Sequence, residues 1–431
     1  MLELIDGRDQ ATPVHIARPA PVGHAGDSAE AARSIVEEVR LHGDSALLGF
    51  IERLDGARLM ASELTVDPDD IARSRSLVRP ELIDALEVMA ERLRATCARQ
   101  RTEGWLERDV DELRGELVRP LRRVGLYAPG GRAAYPSSVV MMAVPAQEAG
   151  VDGIALATPP GPGGQIAEPV LAACAVSGVR EVYRMGGAQA IAALAYGTET
   201  VRPVEKIAGP GNVFVTHAKR LVAQWVGVDA EAGPTEIAVI ADDSARPDVV
   251  AADLVAQAEH GPHGTHVLIT WVPELADRVM GALELLIMRH ERADTVENAL
   301  IEGGRAVLVR DLRHAVDTAN GFAPEHLSLN CAGAFDVLDL IRNAGAVFVG
   351  ASSPVSAGDY VAGTNHVLPS AGTARWSSGL TVRDFVKTIY ISGLETSALE
   401  RLAPHVEALA EAEGLRAHAR AVTARLDGWG R

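Results

Sequence analysis

The residue types and spacings best suited to chemistry are Gln257-Ala-Glu-His260, Ala323-Pro-Glu-His326 and the later Asp359, His366, Glu413 and His418. Together they supply enough amide, imidazole and carboxylate groups to hold a cation and to move protons. A simple binding module needs no such set, so the pattern points to a metal-assisted enzyme site.

Each cluster carries its own geometric argument. Pro247 suits a first helical turn and Gly261-Pro262 a stop, with Val250, Leu254 and Ala258 as the buried stripe between them. Gln257 and His260, three residues apart, then leave one side of that helix near its C-terminus and could share one ion. The competing reading has His260 favouring the negative end of the helix dipole and Gln257 in an ordinary hydrogen bond, since zinc prefers His, Cys and carboxylate to an amide. His263 reads as a solvent-facing loop residue and His266 as part of a strand.

Pro324 fixes the backbone and biases Ala323 toward an extended shape, so a rigid loop presents Glu325 and His326. Adjacent residues cannot serve one point on a regular element, but they can serve two proton positions in a crevice. A surface ion pair is the plainer alternative. Gly358-Asp359-Tyr360 and Gly363-Thr-Asn-His366 form a polar loop just past an apolar strand, where parallel sheets hold their ligands. Asp359 is there either a hard oxygen donor or a turn residue. Glu413 and His418, in the helical tail, are equally open to either reading.

The elements that must position these groups fall into two kinds. The first 110 residues read as helical, with Leu82, Leu86, Met89, Leu93 and Cys97 on one stripe and an earlier run at 28–50 broken at Gly43-Asp44. From about residue 124 short apolar strands take over at 124–127, 154–158, 181–185 and 204–207, and a second series follows at 237–240, 266–270, 306–309 and 346–349. Ala-rich stretches of helical length separate them, which is the alternation of a mostly parallel sheet, built twice. The tail after Thr396 is again helical and interrupted at Gly414.

Three glycine turns, Ala128-Pro-Gly-Gly131, Gly186-Gly187 and Gly209-Pro-Gly-Asn212, each follow a strand, where backbone amides can approach a phosphate. None spells GxGxxG with an acidic residue about twenty positions on. Each alone could be a tight strand-to-helix turn; three in one domain point to a ligand crevice.

Composition narrows the partners. A chain of 431 residues, 47% hydrophobic and 23% charged, is a multidomain globular protein. Its net charge of −17 argues against a nucleic-acid partner. Cys97, Cys174 and Cys331 show no CxxC spacing, which fits a reducing cytoplasm. Neither a secretion signal nor an apolar run of about 18 residues for a membrane span is present.

Longer words give a family resemblance. Gly125-Leu-Tyr-Ala-Pro-Gly-Gly131, Tyr135-Pro-Ser-Ser138, Gly186-Gly-Ala-Gln-Ala-Ile-Ala-Ala-Leu-Ala-Tyr-Gly-Thr198, Gly209-Pro-Gly-Asn212, Gly233-Pro-Thr-Glu236, Asn365-His366 and Ser377-Ser-Gly379, with the clusters above, run in the order of the histidinol dehydrogenases. The chain resembles that family over nearly its whole length. The resemblance implies an α/β fold: two incomplete Rossmann-like domains with mostly parallel sheets, plus small N- and C-terminal helical pieces. It divides the chain into an N-terminal arm at 1–20, a discontinuous main domain at 21–126 and 238–377, a second, NAD-contacting domain at 127–237, and a C-terminal tail at 378–431 in a dimer interface.

It further implies a four-electron oxidation of L-histidinol through L-histidinal to L-histidine with two NAD and one zinc ion per subunit, in a cytoplasmic homodimer whose tail can complete the partner's site. Gln257, His260, Asp359 and His418 resemble the family's zinc ligands, Glu325 and His326 its catalytic pair, and Tyr127, Gln189 and Asn212 its NAD contacts. Thr235, His366 and Glu413 match positions near the substrate. The sequence departs from the pattern where Thr235 replaces a common Ser, where Ala230 and Glu231 replace more apolar residues, and where Gln147 replaces a basic one. Competing functions are a paralogue acting on another amino or sulfo alcohol, a zinc hydrolase, and a non-catalytic NAD-binding protein. The hydrolase leaves the phosphate-type turns without a purpose, and the last has no use for Glu325 and His326.

Overall fold

The computed structural model describes residues 2–19, 25–130, 134–230 and 233–427, so Gly131 and Glu231 lie outside the described residues. Its strands, in chain order, are β1 (Glu3–Asp6), β2 (Trp105–Arg108), β3 (Glu112–Pro120), β4 (Arg123–Tyr127), β5 (Gly153–Thr158), β6 (Glu181–Arg184), β7 (Lys206–Ala208), β8 (Gly227–Val228), β9 (Glu236–Ala241), β10 (Thr265–Thr270), β11 (Gly304–Leu308), β12 (His326–Asn330), β13 (Ala346–Val349) and β14 (Val386–Leu394). They form two parallel sheets, ordered β1-β11-β10-β9-β12-β13 and β6-β5-β4-β7-β8, and one antiparallel sheet, β14-β3-β2. The α/β architecture with two mostly parallel sheets is therefore the one expected from the sequence.

Both parallel sheets bury side chains on both faces, as crossover helices require. In the smaller, Val124, Leu126, Leu156 and Val182 enter one core cluster while Tyr127, Ala155, Ala157 and Tyr183 enter the other. In the larger, Ile237, Val239 and Leu268 face one cluster while Ala238, Ile240 and Val267 face its opposite. Apart from the edge strand β1, each sheet reverses its strand order once, between β4 and β7 and between β9 and β12, so each has a topological switch point there.

The chain divides into two compact units: residues 1–100 with 121–385, which hold both parallel sheets, and residues 101–120 with 386–431, which hold the antiparallel sheet and the tail helices. In the second unit, helices Thr396–Ala412 and Arg416–Leu426 are separated at Gly414, whose φ of +74° ends the first.

Most helix expectations hold. Pro80 and Pro247 open helices Pro80–Gln100 and Pro247–Ala258, and Gly43 (φ +53°) kinks Ala25–Phe50. The first 110 residues also contain β1 and β2, and β14 precedes the helical tail, so neither end is purely helical. β1 and β2 are four residues each with largely exposed side chains, and β14, though nine residues long, buries none of its side chains fully, so none shows the buried apolar run that marks the central strands.

Candidate active site

Helix Leu312–Phe322 ends in a left-handed residue, Ala323 at φ +54° and ψ +66°. The extended shape expected for a residue before proline is overridden here, because the Ala323 N–H caps the helix on the Ala319 carbonyl at 2.8 Å. Arg18, from the N-terminal arm, braces the same turn by donating to the Phe322 carbonyl at 2.7 Å and the Ala323 carbonyl at 3.3 Å. Its guanidinium also forks onto the buried Glu236 carboxylate at 2.5 and 3.0 Å. No local sequence signal marks Arg18; it acts 218 residues away from Glu236.

Pro324 and Glu325 follow, and His326 is the first residue of β12 where the sequence suggests a loop. The pair thus stands at the amino edge of the larger sheet, where β12 pairs with β9. A Glu325 carboxylate oxygen accepts from the Glu236 N–H at 3.0 Å and lies 2.9 Å from the Thr235 hydroxyl, which lies 2.7 Å from the Gln257 side-chain oxygen. One hydroxyl proton cannot serve both acceptors well. Burial pushes the Glu325 carboxyl above its usual range, while a charged His326 beside it favours the carboxylate.

His326 is held differently. Its Nδ1 lies 2.9 Å from the Glu236 carbonyl, which can only accept, so Nδ1 carries a proton and Nε2 is the free position. Nε2 is buried without a hydrogen-bond partner and faces an Asp359 carboxylate oxygen 3.6 Å away. Burial disfavours the imidazolium, but the Glu325 and Asp359 carboxylates outweigh it and raise the ring above the usual histidine range.

Asp359 lies on a short helix, Val355–Tyr360, and not in the loop read from its glycines; a Cβ on the preceding Gly358 would meet the Phe348 ring at 2.1 Å. His366 donates through Nδ1 to the Asp359 carbonyl at 2.8 Å, leaving Nε2 to accept from the Ser138 hydroxyl at 3.3 Å. Ser138, for which the sequence offered no site role, belongs to the helix Pro136–Glu148 that follows the β4 turn.

Gln257 is buried in the last turn of helix Pro247–Ala258, while His260 is exposed in the turn just beyond it. Desolvation holds the His260 ring low, opposed by the Asp359 charge. His263 lies in the loop before β10, half-buried, with its Nδ1 2.9 Å from Glu302. Gln147 donates to the Ser177 carbonyl and so braces a helix end. Glu413, the cap of helix Thr396–Ala412, and His418, in helix Arg416–Leu426, are exposed residues of the second unit.

The glycine turns line a second feature. A cavity of about 1120 Å³ opens at the carboxyl ends of β4, β5, β6 and β7 and is bordered by Tyr127, Gly130, Thr158, Gly187, Gln189 and Asn212. The Gly187 N–H donates to the Tyr127 hydroxyl at 3.0 Å, and burial pushes that phenol up to about 12. Asn212 caps helix Val213–Val222 by accepting from Phe214 and Val215 N–H at 3.1 Å each. Gly209 at φ +129° lies so close to the Tyr127 carbonyl that a Cβ would meet it at 2.1 Å. Its N–H is used by Asp229 at 2.6 Å, and Asp229 pairs with buried Lys219 at 2.5 Å.

Comparison with known proteins points one way. A family model described as histidinol dehydrogenase matches residues 21–426. A histidinol dehydrogenase of Synechococcus sp. is 44% identical over 394 residues, covering 91% of each chain. That of Thermobifida fusca is 47% identical over 405 residues, covering 92% of this chain and 91% of the relative. The crystal structure of histidinol dehydrogenase from Elizabethkingia anophelis superposes with a TM-score of 0.92 at 34% identity, covering 99% of this chain and 98% of the other.

Proposed function

The chain belongs to the histidinol dehydrogenase family, whose members are NAD-dependent oxidoreductases, and we propose from this premise that it oxidises L-histidinol through L-histidinal to L-histidine with two NAD. This is the last step of histidine biosynthesis, carried out by a cytoplasmic homodimer. Among the described residues no helix is long and apolar enough to cross a membrane.

The observation that carries the reading is the orientation of His326: Nδ1 anchored on a carbonyl, Nε2 buried and free. In its neutral form Nε2 accepts the alcohol proton as hydride leaves the carbinol carbon for the first NAD, giving aldehyde and NADH. After that proton is released, Glu325 helps a water add to the aldehyde. His326 takes one proton from the hydrate as its hydride passes to the second NAD, giving the carboxylic acid, which then ionises to the carboxylate. Thr235, His366 and Glu413 position the substrate. Tyr127, Gln189 and Asn212 hold the dinucleotide in the carboxyl-end cavity.

Zinc fits the donor chemistry only in part within the first unit. Among the described residues no group of three or more His, Cys, Asp or Glu is placed to hold a metal. Gln257, His260 and Asp359 offer an amide oxygen, an imidazole and a carboxylate, and His418 of the tail is the fourth ligand of this reading, supplied within the dimer. When bound, the ion supplies charge and orientation for the imidazole and amino nitrogens of the substrate.

The test is to count NADH formed per histidine from L-histidinol, before and after chelation, and to follow both half-reactions in Glu325→Gln. A ratio near two is expected, with NADH formation lost on chelation. Normal histidinal oxidation by Glu325→Gln removes Glu325 from the hydration step.

A further inference from the structure

The carboxyl-end cavity contains an acidic side chain that the dehydrogenase chemistry leaves unused. Helix Ala25–Phe50 runs into a single π-helical turn, Ile51–Asp55, closed by Gly56 in the left-handed region at φ +70°. Such turns are rare and concentrate at functional sites. Here the turn brings the Asp55 carboxylate, half-buried, into the cavity wall beside Gln189.

The two side chains do not satisfy each other. Gln189 Nε2 reaches Asp55 at only 3.5 Å, the outer limit of a hydrogen bond, and the Gln189 side-chain oxygen has no partner although the residue is 1% exposed. Burial pushes the Asp55 carboxyl up to about 6, against the donors at Gln189 and Gly186. This corner therefore offers acceptors in want of donors, and it repels phosphate. A sugar diol, with two hydroxyl donors on neighbouring carbons, matches that demand.

Sheet topology says which sugar. In doubly wound sheets an acid near the end of the second strand reads the adenosine ribose. The second strand in the equivalent order here is β5, and it ends in Thr158, Pro159 and Pro160, without a carboxylate. Gln189 lies on the helix after β6, and Tyr127, whose hydroxyl meets Gly187 across β5, ends β4. Asp55 joins this same half of the sheet from outside the βαβ unit, through its approach to Gln189 and Gly186.

We propose that Asp55 and the Gln189 side-chain oxygen form the subsite for the adenosine ribose diol of the dinucleotide, and that Asp55 selects NAD over its 2′-phosphorylated form. The assignment rests on the reading of the cavity as the NAD site. A 2′-phosphate would set negative charge against the Asp55 carboxylate and remove the hydroxyl it accepts from.

Calorimetric titration of the full chain with NAD, NADP and the NAD analogue lacking the adenosine 2′-hydroxyl tests it, in wild type and Asp55→Asn, with histidinol oxidation measured on the same samples. Wild type is expected to bind NAD roughly tenfold to a hundredfold more tightly than either alternative, the scale of one hydrogen bond to a charged group. Asp55→Asn is expected to bring all three within about threefold. Retained NAD binding with unchanged ratios in Asp55→Asn overturns this assignment alone. Loss of all dinucleotide binding by wild type overturns the NAD reading of the cavity and this assignment with it. Where the variant does not fold, equal wild-type affinity for NAD and the deoxy analogue overturns it.

Discussion

The two parallel sheets share one strand order around the switch point but use opposite ends. The smaller opens its cavity at the carboxyl ends of β4 to β7, where helices Gly187–Tyr196 and Val213–Val222 begin. The larger gathers Thr235, Glu325 and His326 at the amino edge of β9 and β12, where helices Pro247–Ala258 and Leu312–Phe322 come to an end. Helix N-termini carry partial positive charge and C-termini partial negative charge. One fold thus yields an end suited to a polyanionic cofactor and an end suited to cations and to an imidazole that gains a proton.

If this division is correct, substitutions at the two ends separate affinity from turnover. His326→Asn is expected to lower kcat by roughly 10²–10⁴-fold with NAD affinity nearly unchanged, while Gln189→Ala weakens NAD about tenfold and leaves kcat close to wild type. Steady-state kinetics with calorimetry resolves both, and parallel losses of NAD affinity in the two variants would erase the distinction.

Each end also has its own brace. Asp229→Ala leaves Lys219 buried and unpaired under the Gly209 turn, an expected loss of about 3–5 kcal/mol in denaturant unfolding. Little or no loss would mean that the pair does not secure the carboxyl end. At the amino edge, Arg18→Ala strands the Glu236 carboxylate and frees the Ala323 turn, with an expected loss of about 2 kcal/mol and a lower kcat. Arg18→Lys should not restore it, because one ammonium cannot fork. Wild-type kcat in Arg18→Ala would show that this brace does not position the pair.

A smaller effect sharpens the amino side. His266, fully buried on β10, has both ring nitrogens without partners, and burial lowers it to about 4. Unfolded, it takes up a proton below about 6.5; folded, it does not until about pH 4. Its contribution to stability is therefore intact above pH 6.5 and is lost as pH falls toward 4. His266→Leu should gain about 1–2 kcal/mol at pH 7 and lose less than wild type over that range. Parallel stability curves for the two proteins would contradict this. The smallest change expected is Thr235→Ser, within about twofold in kcat/KM, since the hydroxyl between Gln257 and Glu325 is kept.

The comparison also explains what the sequence could and could not disclose. Runs such as 237–240 and 266–270 are apolar throughout because crossover helices cover both faces, and such runs are visible without a structure. β12 escaped because it opens with His326, directly after Glu325, and alternates Leu327 and Leu329 with polar residues. The expectation of a crevice at carboxyl ends matches the cavity of the smaller sheet, whereas Thr235, Glu325 and His326 lie at the amino edge of the larger. Arg18 and Asp55 carry no local pattern, and Ser138, though inside a family word, carries none that assigns it to the site. Their partners are 218, 134 and 228 residues away, joined only by the folded chain.

A crystal structure of the protein soaked with NAD tests the division most directly. The account predicts the adenosine half in the cavity at the carboxyl ends of β4, β5 and β6, with the nicotinamide directed toward His326. Dinucleotide density at the carboxyl ends of the larger sheet, with the Tyr127 cavity empty, would contradict it.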